Sequence, residues 1–417
     1  MKTTGWTAFG AGFFFAARLA AVADGAPLAG KLHAPEKGEL ASLERLVPRL
    51  MKDGDVPGLS LAVVQNGQVV YRRAFGVRDE STGAPVDDDT IFEAASLSKP
   101  VFAHAVLKLA DAGQLDLDAP LAMYLPGDYV EDPRLRAITA RRVLSHTTGF
   151  PNWRPDGQPL KIHFDPGERF SYSGEGFVYL QKAVENRTGQ TLEALMRRLV
   201  FEPLRMTSSS YTWQDRFEGR KAIGHDNVGS PLGLRRPTVS NAAASLHTTG
   251  LDYARFLAAV LDGTGLRKET AAQMIHPQIH VDEGCQNCIN TKPTGRLSRE
   301  IGWGLGWGVQ ETEDGPSLWH WGDNGSGSAP SSSPTASAGT ASSPRSSRRL
   351  WAGATRHLCG SATSAGTRRQ GRGSKTSSRA DRLPSLATRS ANPANPARPS
   401  PRNGSTASAT GSWQRRR

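Results

Sequence analysis

Ser96-Leu97-Ser98-Lys99 sets a hydroxyl and an amine three residues apart, just before a run with helical spacing. Residues three apart on a helix share a face, so Ser96 and Lys99 can touch. A serine needs a base to become a nucleophile, and a desolvated lysine with a lowered pKa can be that base. The start of a helix also favours negative charge developing beside Ser96. Taken alone, the same residues suit a helix N-cap and a solvated lysine. The surrounding pattern has to decide.

The elements that would position the pair can be read in outline. Residues 39–52 carry an amphipathic helical pattern. Leu59 to Val64 and Gln68 to Phe75 are apolar runs joined across Asn66-Gly67, a strong hairpin signal. After Ser96, positions Phe102, Ala105, Val106 and Leu109 make one helical face, with Gly113 as a stop. Residues 120–300 read as helices and long loops, clearest over Leu192 to Phe201 and Leu251 to Leu261. Trp303, Leu305, Trp307 and Val309 alternate with glycines, which predicts a strand, with both tryptophans in the core. Strands at both ends around a helical insertion predict one sheet completed by the two ends. The fold class expected is α+β: an antiparallel sheet flanked by helices, with an inserted, mainly helical region.

Further motifs follow in order. Leu144-Ser145-His146-Thr147-Thr148-Gly149 comes first, then Pro166-Gly167-Glu168-Arg169-Phe170-Ser171-Tyr172-Ser173-Gly174, then Trp319-His320-Trp321-Gly322. With Ser96 to Lys99, this order resembles the serine β-lactamase and penicillin-binding superfamily, in its class C β-lactamase, D-alanyl-D-alanine carboxypeptidase and esterase branch. That signature is S-x-x-K, Y-x-N, then K-T-G or H-x-G. The likeness runs from about residue 40 to 325. It implies an acyl-enzyme formed on Ser96, with Lys99 and Tyr172 sharing the proton and Tyr172 helping to activate the deacylating water. It further implies an oxyanion hole from the Ser96 amide and the amide of Asp323, just beyond Gly322, with His320 lining the opposite wall. It implies no metal and no organic cofactor.

Two positions depart from the pattern. The Asn of Y-x-N is Gly174, so a side-chain amide that would hold the substrate's acyl amide is missing. The Lys of K-T-G is His320, a weaker attractor of a substrate carboxylate when neutral. The function expected is therefore a serine hydrolase acting through an acyl-enzyme on an ester, amide or β-lactam-like carbonyl of a small-molecule or peptidoglycan-like substrate. Both departures favour an esterase, or a peptidase of unusual preference, over efficient β-lactam hydrolysis. The alternatives are a true β-lactamase or D-amino-acid peptidase, and an inactive penicillin-binding or cell-wall-interacting relative.

Composition bounds the partners. The 417-residue chain carries a formal charge of +12, yet residues 326–417 hold 16 of the 51 Lys and Arg and one of the 39 acidic residues, Asp381. The remainder is slightly acidic, which gives no reason to invoke nucleic acid. Residues 1–23 read as an export signal: Lys2, an apolar run from Ala8 to Ala17, and Ala21-Val22-Ala23 before Asp24. That run is too short to span a bilayer, so a secreted or periplasmic protein without stable membrane insertion is expected. Cys285 and Cys288, with His276 and His280 upstream, have a zinc-like spacing, but a loop disulfide or free thiols fit better.

After Gly325 the composition breaks. Residues 326–417 contain 21 Ser and 15 Arg and no Val, Ile, Phe, Tyr, Met or Glu, the make-up of a disordered basic tail. The resemblance instead requires strands directly after H-x-G. A frameshift near Gly325 to Gly327 reconciles the two. Shifting Ser328 to Thr335 back by one base, with TCN serine codons, yields Phe-Arg-Ala-Phe-Val-Val-Ala-Tyr as one solution, a buried-strand pattern. The organisation expected is a signal at 1–23, a hydrolase domain at 24–325 with an incomplete sheet, and an out-of-frame tail at 326–417. Poor folding or weak activity is expected with it.

Overall fold

The computed structural model describes residues 17–18, 37–127, 129–225, 230–284, 287, 289, 293–312 and 315–324. The rest of the leader, the Cys285 and Cys288 pair and the whole Ser/Arg tail lie outside the described residues.

Seven α-helices carry the helical part: α1 (Lys37–Asp53), α2 (Ser98–Asp111), α3 (Ala140–Leu144), α4 (Gly174–Thr188), α5 (Leu192–Met196), α6 (Gly250–Leu261) and α7 (Lys268–Ile275). α5 runs on into a π-turn over Arg197–Phe201, so the apolar run from Leu192 to Phe201 is one continuous helical stretch. α2 is buried from Ser98 through Leu107, and its mixed apolar surface suits a helix packed on all sides. Ser173 caps α4 by accepting from the Gly176 amide at 2.9 Å, and Thr249 caps α6 through the Asp252 amide at 3.1 Å.

Ten strands are described, and all their pairings are antiparallel. β1 (Ala17–Arg18), β7 (Ile279–Asp282), β8 (Leu297–Trp303), β9 (Gly308–Thr312) and β10 (Gly315–Trp319) form one sheet in the order β1-β10-β9-β8-β7. β2 (Gly58–Gln65), β3 (Gln68–Asp79) and β4 (Ala84–Pro85) form a second sheet, and β5 (Phe92–Glu93) pairs with β6 (His247–Thr248). β2 and β3 turn at Asn66 and Gly67, both with positive φ (50° and 70°), as the Asn-Gly signal predicts. β1 falls inside the predicted export signal and pairs with β10.

Two expectations are corrected. Trp303 to Val309 is not one strand: the Gly304 amide donates to the Trp307 carbonyl at 2.8 Å, which folds β8 back into β9. The glycines that mimic strand alternation are turn residues, with Gly306 at φ 91°. Both tryptophans are core residues, as expected. The single completed sheet is the second correction. Among the described residues the β2–β3 hairpin and the β10 sheet are separate, and no described strand bridges them. The resemblance predicts the bridging strands just after H-x-G, in residues that lie outside the described ones.

Candidate active site

The turn bearing Ser96 is built from both sides. β5 leads into it, and the residue before β6 holds it: the Ala94 amide donates to the Leu246 carbonyl at 2.8 Å. Ser98 Oγ donates to the Ala95 carbonyl at 2.5 Å and accepts from the Leu246 amide at 2.9 Å. These bonds hold Ala95 at φ 48°, a left-handed conformation that costs a non-glycine residue energy. Ser96 remains half-buried, while Ala95, Leu97, Ser98 and Lys99 around it are buried. From α6, Tyr253 Oη donates to the Leu97 carbonyl at 3.2 Å.

Lys99 Nζ lies 3.0 Å from Ser96 Oγ and 2.9 Å from the Ala243 carbonyl. Its side chain is fully buried, and desolvation with no carboxylate partner lowers its pKa to about 7. A large share of the molecules then hold a neutral amine at neutral pH. Across the same 3.0 Å a neutral amine accepts the serine proton instead of donating its own.

Tyr172 packs beside this pair, with its ring 4.8 Å from Lys99 Nζ. Its hydroxyl is buried and makes no hydrogen bond of ordinary geometry among the described residues. Burial pushes its pKa well up, against a smaller opposing pull from the Ser96 hydroxyl. The phenol is therefore protonated in the resting site. His146, in the left-handed region at φ 56°, stacks on it at 4.2 Å between ring centres. His146 Nδ1 accepts from the Ser173 amide at 3.0 Å, which puts its proton on Nε2. Burial, then Lys99 and His320, hold this imidazole far below its usual range.

His320 follows β10 directly and is buried. Its Nδ1 lies 2.7 Å from the Trp321 carbonyl, which can only accept, so Nδ1 carries the proton and Nε2 presents a lone pair. Burial, then Lys99, push its pKa down to about 3. It is a neutral acceptor, not a carboxylate anchor. Gly322 brings this turn against Ser96: a Cβ there would lie 2.2 Å from the Ala94 carbonyl oxygen and 3.1 Å from the Leu97 amide nitrogen. Only a residue without a side chain permits that approach. Asp323 follows, exposed, and Asn324 Nδ2 ties the turn to Glu93 and to the Ala244 carbonyl, both at 3.2 Å.

The Beta-lactamase family matches this chain over residues 43–358. The chain belongs to the β-lactamase family. It is similar to Penicillin-binding protein 4 of Amycolatopsis lactamdurans, 29% identical over 66% of this chain and 77% of that protein. It is similar to Esterase EstB of Burkholderia gladioli, 30% identical over 47% of this chain and 57% of that protein, little more than half of the esterase's length. Among solved structures it resembles the octameric penicillin-binding protein homologue from Pyrococcus abyssi, with 24% identity, a TM-score of 0.56 and 68% of each chain covered. It also resembles the D-alanine carboxypeptidase AmpC from Burkholderia cenocepacia, with 21% identity, a TM-score of 0.54, and 66% of this chain and 75% of that one covered. At such identities the structural likeness establishes the fold. Mixed helices and antiparallel sheet are the β-lactamase arrangement.

Within that family fold, Ser96, Lys99, Tyr172, Gly174, His320 and Gly322 converge on one place. Sequence reading missed three features of it. Trp153 borders the site, its ring centre 5.9 Å from Lys99 Nζ. Its one sequence signal is its place just beyond the His146-to-Gly149 landmark. The Ala243 carbonyl that holds Lys99 is backbone and has no sequence signal. The ion pair of Glu93 with the nearly buried Lys221 supports the Asn324 turn, and only the fold joins those distant residues. Among the described residues, no cluster of His, Cys, Asp or Glu could hold a metal ion.

Proposed function

We propose that this chain is a serine hydrolase that cleaves carboxylic esters through an acyl-enzyme on Ser96. The observation that carries the reading is the 3.0 Å contact between Ser96 Oγ and a fully buried Lys99 amine whose pKa is lowered to about 7. Ser96 Oγ attacks the ester carbonyl and passes its proton to neutral Lys99. The carbon–oxygen bond to the alcohol breaks, and the proton leaves on that alcohol. Water then cleaves the acyl-enzyme and restores the serine. The protonated Tyr172 beside them suits the role of proton donor to the leaving oxygen and orienter of the water.

The ester preference is supported by two features. His320 is neutral and offers no positive charge to the carboxylate carried by β-lactams and peptide C-termini. Gly174 offers no side-chain amide to an acylamino group. The relative named as an esterase is in keeping with this reading. The leader pattern supports export, which cell fractionation would test. Among the described residues no helix is long and apolar enough to cross a membrane.

The test is turnover of p-nitrophenyl esters beside labelling by a fluorescent penicillin. Esters should turn over, penicillin should label slowly, and Ser96→Ala should remove at least about 10³-fold of the esterase rate while leaving the melt unchanged. Penicillin labelling faster than ester turnover would favour the β-lactam reading. Labelling without turnover would favour a penicillin-binding relative.

A further inference from the structure

Gly174 stands where the family pattern has an asparagine, and the structure shows what fills the space. A Cβ at this position would lie 2.8 Å from the Asn152 carbonyl oxygen and 2.8 Å from both Cη2 and Cζ2 of Trp153. The tryptophan ring occupies the volume that a side chain at 174 would need. Trp153 remains 46% exposed, so part of it is open to an incoming group.

The ring is held there by the loop that carries it. Ser173 Oγ donates to the Pro151 carbonyl at 2.9 Å. The Gly174 amide lies 3.0 Å from both Asn152 Oδ1 and the Asn152 carbonyl, and the Glu175 amide donates to the same carbonyl at 3.0 Å. At the next residue in the chain, Arg154 grips the nearly buried Glu175 carboxylate with Nε and Nη2, each at 2.9 Å, and with its own amide at 3.1 Å. The residues before and after Trp153 are thus tied to the first turn of α4, beside Lys99.

We propose that Trp153 is the specificity-determining residue of the acyl side of this site, an apolar platform that selects unsubstituted alkyl or aryl acyl groups and excludes acylamino ones. The inference rests on the esterase reading above and assigns its substrate class. An acylamino group laid against the ring would bury an amide without a partner, whereas an alkyl chain gains contact. Gly174 and Trp153 form one unit: the glycine admits both the Asn152 carbonyl and the ring.

The experiment has two arms. In the first, kcat/KM is measured for p-nitrophenyl acetate and p-nitrophenyl butyrate. Wild type should prefer butyrate, and Trp153→Ala should cut the butyrate-to-acetate ratio about tenfold, mostly through KM for butyrate. In the second arm, binding of p-nitrophenyl butyrate to Ser96→Ala protein is measured calorimetrically, with and without Trp153→Ala. Binding should weaken about tenfold when the ring is removed. A butyrate preference or binding strength that ignores Trp153→Ala would overturn the proposal, even with esterase turnover intact. Conversely, Trp153-dependent butyrate binding in a protein that turns over no ester would sink the hydrolase reading and leave the acyl platform standing.

Discussion

The helices around Ser96 and the β2–β3 hairpin belong to one chain but are finished to different degrees. α2 is buried from Ser98 through Leu107, and Phe102 meets Phe177 of α4 with ring centres 6.4 Å apart. In β2 only Gly58 and Leu59 are buried, and no residue of β3 is, with Val70 exposed. The hairpin rests on α6 but bonds to no described strand beyond β4. The candidate nucleophile, base and phenol are held by the helical region, by β5 and by Trp303 of β8, so their geometry does not wait on the β2–β3 hairpin. Packing and chemistry thus share the helical core, and the hairpin adds apolar surface that stays half in water.

Core truncation is the strongest way to break this comparison. Phe102→Ala empties a fully packed position and should cost about 3–5 kcal/mol in urea unfolding. Leu61→Ala on the half-exposed β2 should cost less than about 1 kcal/mol. Equal losses would mean that the hairpin is as well packed as α2, and the contrast would fall.

The second test acts on the missing neighbour. We propose that the reading frame shifts near Gly325 to Gly327, and that the intended chain supplies a strand beside β2, the free edge of the hairpin sheet. Sequencing the gene checks it directly, since AGC or AGT codons at Ser331, Ser332 and Ser333 would rule out the recovered strand. A frame-corrected chain should unfold at higher urea by on the order of a few kcal/mol, through burial of the hairpin's apolar face. The gain should vanish in a corrected chain whose new strand carries charged residues on that face.

Legibility followed the same division. The hairpin turn, α2 and α6 were readable because each is a local pattern: Asn66-Gly67, the Phe102–Leu109 spacing, and the apolar run at Leu251 to Leu261. The contact of Ser96 with Lys99 was readable because helical spacing alone brings them together. The strand over Trp303 to Val309 was misread, since the glycines turn the chain at Gly304 to Trp307, and composition does not separate alternation from a tight bend. The neutral state of His320 came from burial and from the Trp321 carbonyl, neither of which spacing encodes. Trp153 was invisible as a site residue because its contact with Gly174 depends on how two loops meet.

The pH response separates the site from the scaffold a third way. Ester turnover should fall about tenfold per unit as pH drops below about 7, because protonated Lys99 cannot accept the serine proton. His320 should add no limb above about pH 4, being neutral throughout. Stability moves in its own windows. His146 and His320 are held below the unfolded histidine value of about 6.5, so the unfolded chain binds more protons as pH falls. Their contribution is whole above about 6.5 and is lost on acidification, for His320 toward about 3. Lys99 is likewise held below its unfolded value near 10.5, so its penalty eases as pH rises from about 7 to 10.5. Turnover and melting measured across pH 4–10 check both. An acid limb that survives Trp153→Ala but moves by a unit or more would tie the ring to the charge on Lys99 as well as to acyl choice.

The smallest effect lies in the loop that joins the two kinds of order, fixed by the helical region yet exposed to solvent. Glu175 holds Arg154, and through it the position of Trp153, without itself meeting the substrate. Glu175→Gln keeps the size of the side chain but removes the charge from a bidentate pair that is largely sheltered on the carboxylate side. The butyrate-to-acetate ratio should fall two- to threefold (on the order expected for a loosened wall), with kcat for acetate nearly unchanged. Arg154→Lys should do the same, since an ammonium cannot grip both carboxylate oxygens in the plane that guanidinium does. If both variants lower the melting temperature but leave the ester ratio at the wild-type value, the pair supports the helix and not the ring. Trp153 would then hold its place by packing over Gly174 alone.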